Sequence, residues 1–133
     1  MKSIHATIDT SMYRLEEAIL KFANALRISE QNISFKSSTI SFDDGINEFY
    51  IESIKPECSN DDISNRFIMG LLFDLSFGEE ITYILYKHLR DVNAAFTLED
   101  CASDQDGECL LGKDRNITHY TPSNQKPLAV YHK

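Results

Sequence analysis

Asn65-Arg66-Phe67-Ile68-Met69-Gly70-Leu71-Leu72-Phe73-Asp74 is the stretch on which the fold turns. With Ile63 before it and Leu75 after it, the run is apolar around most of a helical circumference. Ile63, Phe67, Ile68, Met69, Leu71, Leu72, Phe73 and Leu75 leave only a narrow polar edge. Such an all-round pattern predicts a central helix over about residues 60–76, covered on several sides. Ser59-x-x-Asp62 resembles a capping box for it, with Asp in place of Glu. Arg66, Gly70 and Asp74 fall four apart and so share one stripe of that helix. A buried unpaired acid is expensive, which places Asp74 on this polar stripe rather than in the core.

Upstream, Ile4, Ala6 and Ile8 alternate and predict a short strand over 3–8. Asp9, Thr10 or Ser11 then caps a helix in which Met12, Leu15, Ile19, Phe22 and Leu26 form one buried stripe. Ile33, Phe35, Ile40 and Phe42 predict one long strand or two short ones. Asp43-Asp44-Gly45 is a turn signal, because Gly takes the positive φ such turns require. Phe49 to Ile54 returns as a strand, with Tyr50, Glu52 and Ile54 on one face and Phe49 and Ile51 on the other. Pro56 closes the hairpin.

Downstream, Ser76-x-x-Glu79 is a second capping box, opening a helix over about 79–95. Ile81, Ile84, Leu85, Leu89, Val92 and Phe96 form its buried face, and Tyr83, Tyr86, Lys87 and Arg90 its outer one. His88 lies within the apolar face and reads as a core histidine. Glu99, Asp100, Asp104, Asp106 and Glu108 then follow without a base between them and read as a solvated acidic stretch. Cys109-Leu110-Leu111 and Ile117 to Tyr120 are short strand candidates, and 121–133 reads as loop or an extended terminal segment. This order predicts one α+β domain over 1–133: a mainly antiparallel sheet with about three helices packed on one face.

The chain has 133 residues, with 21 Asp and Glu against 13 Lys and Arg, a formal net charge of −8. That balance repels phosphate backbones and anionic lipids and attracts basic partners. No apolar run is long enough for a spanning helix, and the N-terminus lacks a secretory core. Cys58, Cys101 and Cys109 read as free thiols of a reducing cytosol. Asp104-Gln105-Asp106-Gly107 resembles part of a calcium loop, but the aligned end positions are Ala102 and Lys113, which do not chelate. Cys101, Cys109 and His119 lack the short paired spacings of a zinc site. The five glycines form no phosphate-cradling pattern. The expectation is therefore a protein without cofactor or metal, and not an enzyme.

A small acidic α+β chain with a pI of about 4.9 and acidic stretches at Asp43-Asp44 and Glu99–Glu108 resembles the immunity proteins of bacterial toxin–immunity pairs, such as contact-dependent growth inhibition systems. The resemblance is one of overall character along the whole chain, not of a motif. It implies a cytoplasmic protein that neutralises a cognate toxin domain, basic and of nuclease type, by direct binding, with neither nucleic acid nor membrane as partner. Asp43, Asp44 and Glu48 around the hairpin, with Asp100, Asp104, Asp106 and Glu108, would supply the interface acids, and Tyr83 or Tyr86 an anchor. Three other functions stay open: a secretion-chaperone-like protein, an acidic nucleic-acid mimic, and a small enzyme using His88, His119 or a cysteine.

Overall fold

Strand β1 (Lys2–Thr10) buries Ile4, Ala6 and Ile8 on one side and turns His5, Thr7 and Asp9 to the other. That alternation sets the two faces of the molecule. The computed structural model describes residues 2–54, 65–74, 80–102 and 116–122, and of 101 and 102 only the backbone. After β1 come α1 (Met12–Ala25), a short 3-10 turn, β2 (Ser34–Phe35), β3 (Thr39–Asp43), β4 (Glu48–Ile54), β5 (Asn65–Phe73), α2 (Glu80–Asp91), β6 (Ala95–Ala102) and β7 (Asn116–Tyr120). The seven strands form one antiparallel sheet in the order β2-β3-β4-β5-β1-β6-β7.

The decisive stretch is a strand, not a helix. β5 pairs with β1 on one side and β4 on the other along its length. Phe67, Met69, Leu71 and Phe73 point inward and are buried; Ile68, Gly70 and Leu72 point outward. A continuous apolar run has no period that separates a central strand from a buried helix, and the pairing on both sides selects the strand. The described residues therefore hold two α-helices rather than about three. Arg66 and Gly70 remain on one face, now by strand alternation, while Asp74 follows the end of β5 and donates its backbone N–H to Asn47 Oδ1 at 3.0 Å.

A second correction concerns Phe96, which belongs to β6 and not to the last helix. α2 stops at Asp91 because Asn93 adopts a left-handed φ of 66°. The Asn93 N–H bonds to the Arg90 carbonyl and the Ala94 N–H to the Leu89 carbonyl, the Schellman pattern that closes a helix. Arg27, with φ 64°, ends α1 by the same pair of bonds to Asn24 and Ala23. At the other end of α1, the Ser11 hydroxyl caps by accepting the Arg14 N–H. The capping boxes at Ser59 and Ser76, Pro56, the 109–111 strand and residues 123–133 lie outside the described residues.

Both helices cover the same face. Leu15, Ile19 and Phe22 of α1 and Ile81, Leu85 and Leu89 of α2 join the inward side chains of the sheet in one buried cluster. Phe22 meets Phe49 edge-on at 6.3 Å, and Phe42 lies 5.6 Å from Phe49. No helix of the described residues is long and apolar enough to cross a membrane.

The assignment of β5 predicts opposite outcomes at adjacent positions. Met69→Ala, at a site 3% exposed, should lower the unfolding free energy in urea by about 2–5 kcal/mol. Ile68→Ala, at a site 43% exposed, should cost less than about 1 kcal/mol. Equal losses at both positions contradict the strand register.

Candidate functional site

The face turned away from the helices is a grid fixed by strand register. One cross-strand row reads Ser41, Tyr50, Gly70, His5, Glu99, Ile117. The next reads Thr39, Glu52, Ile68, Thr7, Thr97, His119. On one flank lie Asp43, Glu48, Leu72 and Ser3, and on the other Ile54, Arg66, Asp9 and Ala95. This outer face exposes apolar groups that a covered sheet would bury: Tyr50 is 50% exposed, Ile68 43% and Ile117 56%. Exposed apolar side chains grouped on one face and rimmed by polar ones mark interaction surfaces.

Charge on this face is lopsided. Its described rows carry the carboxylates of Asp9, Asp43, Glu48, Glu52 and Glu99 against one guanidinium, Arg66. Asp9 holds that guanidinium, accepting from Nε at 2.8 Å and from Nη2 at 3.0 Å, and so raises the Arg66 pKa. Asp43 and Glu48 sit directly opposite each other, a like-charge pair that costs stability. His5 Nε2 lies 3.2 Å from the Ser3 hydroxyl, and His119 Nδ1 lies 3.0 Å from that of Thr97.

The residues singled out from sequence divide between the two sides of the sheet. Asp43 and Glu48 stand at the edge of the outer face. Asp44 sits in the turn, where Oδ1 accepts the N–H groups of Asn47 at 2.7 Å and Ile46 at 2.9 Å; these bonds lower its pKa. The N–H of Gly45, whose φ is 92°, donates to Asp43 Oδ1 at 2.8 Å. Both aspartates therefore build the turn as well as charging it. Asp104, Asp106 and Glu108 lie outside the described residues.

On the helix side the structure brings Tyr83, Tyr86 and Asp100 together. They line a cleft of about 460 Å³ with Lys2, Thr82, Leu98, Asn116 and Thr118. Asp100 is not displayed on an acidic loop: it lies in β6, is buried, and meets Lys2 Nζ at 3.9 Å and Asn116 Nδ2 at 3.4 Å. Tyr86 packs edge-on against Phe96 and Tyr120, with Arg90 5.6 Å over its ring, whereas Tyr83 is 60% exposed. In this cleft Asp100 meets both Lys2 and Asn116, and of its described polar atoms only Thr82 Oγ1 is buried without a partner. The outer face offers more to an incoming molecule.

Tyr50, Ile68, His5 and Glu52 are the outer-face residues that sequence reasoning did not single out. The alternation of Tyr50, Glu52 and Ile54 marks their common side, but with about 60–76 read as a helix the strand that lies between them and β1 is missing. His88 and His119 lie on opposite sides of the sheet and form no common site. Among the described residues no three His, Cys, Asp or Glu side chains group to hold a metal ion. Comparison of the chain with protein-family models, with curated proteins and with solved structures gave no match.

His88 is half-buried, and its Nδ1 has no hydrogen-bond partner among the described residues. Burial lowers its pKa; Asp91 opposes the shift, and Lys87 and Lys21 of α1 add to it. A depressed histidine pKa means the unfolded chain binds the proton first as pH falls. Stability is thus lost as pH drops from the ordinary histidine value through the folded one. The fall in melting temperature between about pH 7.5 and 5 should shrink in His88→Gln. An identical fall in both proteins excludes His88 as the cause.

Proposed function

We propose that this chain is a binding protein that uses the outer face of its sheet to capture a basic protein domain. In keeping with the family it resembles, we take that domain to be the toxin of a toxin–immunity pair, nuclease-like in charge, and the capture to be neutralising and cytoplasmic. The observation that supports this is the side of the sheet that no described helix covers: exposed Tyr50, Ile54 and Ile68 among the carboxylates of Asp43, Glu48, Glu52 and Glu99, with Asp9 paired to the one guanidinium, Arg66.

An aromatic anchor inside a charged rim is the usual energetic plan of a protein interface. Complementary charge on the rim raises the association rate and rejects wrong partners. A nuclease cleft is positive because it holds phosphates, so a negative sheet face can occupy or flank it. The opposition of Asp43 and Glu48 fits a surface whose charge serves recognition at some expense to folding.

The test begins by capturing a partner on the immobilised chain and expressing the captured domain alone. It should inhibit growth, and co-expression of this chain should relieve the inhibition. Glu48→Lys with Glu52→Lys should slow association about tenfold or more at low salt and flatten its dependence on ionic strength. Glu48→Gln alone should stabilise the free protein by about 0.2–1 kcal/mol while weakening capture. A harmless partner, or one bound equally fast by the doubly reversed chain, contradicts the proposal.

A further inference from the structure

Gly70 leaves a dent in the outer face. It stands between Tyr50 of β4 and His5 of β1 in one cross-strand row. Among the described residues, a Cβ built on Gly70 meets nothing within 4 Å. Its backbone is ordinary strand, so no turn or positive φ calls for glycine here. What the missing side chain provides is space beside an aromatic ring. That space opens into a depression of about 410 Å³ lined by His5, Thr7, Tyr50, Ile68, Thr97 and Glu99.

We propose that this depression receives one arginine side chain of the basic partner, an inference that rests on the outer face being the binding surface. An arginine stem is apolar and covers Gly70 and Ile68, while its head keeps its charge at the rim. The planar guanidinium stacks on an aromatic ring and is less tightly hydrated than an ammonium, which favours arginine over lysine beside Tyr50. Glu48 and Glu52 flank Tyr50 on the same strand and the same face, and Glu99 lines the far side, so the potential over the dent is negative. The one guanidinium in the described outer rows, Arg66, is already held by Asp9.

The probe is hexa-arginine, titrated into the full-length chain labelled with ¹⁵N. Amide shifts are expected at Glu48 and Glu52 and, from the inserted side chain, at His5, Gly70 and Thr97. Gly70→Val fills the dent with a side chain that suits a strand. It should keep the melting temperature, abolish the shifts at His5 and Thr97, and leave those at Glu48 and Glu52. Should Val perturb the fold, Gly70→Ala gives the same pattern in weaker form. Tyr50→Ala should weaken binding about two- to fivefold, the range of an exposed cation–π contact. Shifts at His5 and Thr97 that survive in Gly70→Val overturn the arginine site while sparing the acidic face. Absence of shifts at Glu48 and Glu52 as well overturns both.

Discussion

A strand hides every second side chain, and β5 does so at the centre of the sheet, paired along both edges. Its inward set, Phe67, Met69, Leu71 and Phe73, anchors the core against α1 and α2. Its outward set, Ile68, Gly70 and Leu72, has no described helix to meet. Among the described residues both helices lie on one side of the sheet, and the other side carries exposed Tyr50 and Ile68. On that side exposed Tyr50, Ile54 and Ile68 lie on β4 and β5 and Ile117 on β7, with the carboxylates of Glu48, Glu52 and Glu99 in the same and adjoining rows.

The energetics of the charges follow the same division. Asp44 is spent largely on its own turn, where two backbone N–H groups hold its carboxylate. Asp9 and Arg66 form a two-bond pair across β1 and β5, but both are partly exposed, and such a pair contributes little net stability. Asp100 is buried on the helix side of β6, where it meets Lys2 and Asn116. Asp43, Glu48 and Glu52 remain as the acids that face outward beside Tyr50, and the first two oppose each other. Their opposition across β3 and β4 is unfavourable to folding.

Much of the fold was legible because its signals were local. Alternation gave β1, spacing of three and four gave α1, and Asp43-Asp44-Gly45 gave the hairpin of β3 and β4. β5 was misread because its outward residues Ile68 and Leu72 are apolar too, which erases the period of two. β6 was misread because Val92 and Phe96 are both buried and fit a helical spacing, although Asn93 in the left-handed region ends the helix between them. The site suffered for the same reason. Asp43 and Glu48 of the candidate site are marked in the sequence by the hairpin, but Tyr50 next to Gly70 exists only once β4 and β5 are neighbours. Asp100 looked like loop acid because its burial depends on β7 and Lys2, which no local pattern reveals.

The proposed binding role of the outer face is tested most directly by hydroxyl-radical footprinting of the chain alone and in complex with a partner captured on it. Oxidation of Tyr50, His5 and Ile68 should fall sharply in the complex, while Tyr13 on the far side of α1 stays as reactive as before. Protection of the α1 and α2 surface with Tyr50 and His5 still fully reactive would contradict the account.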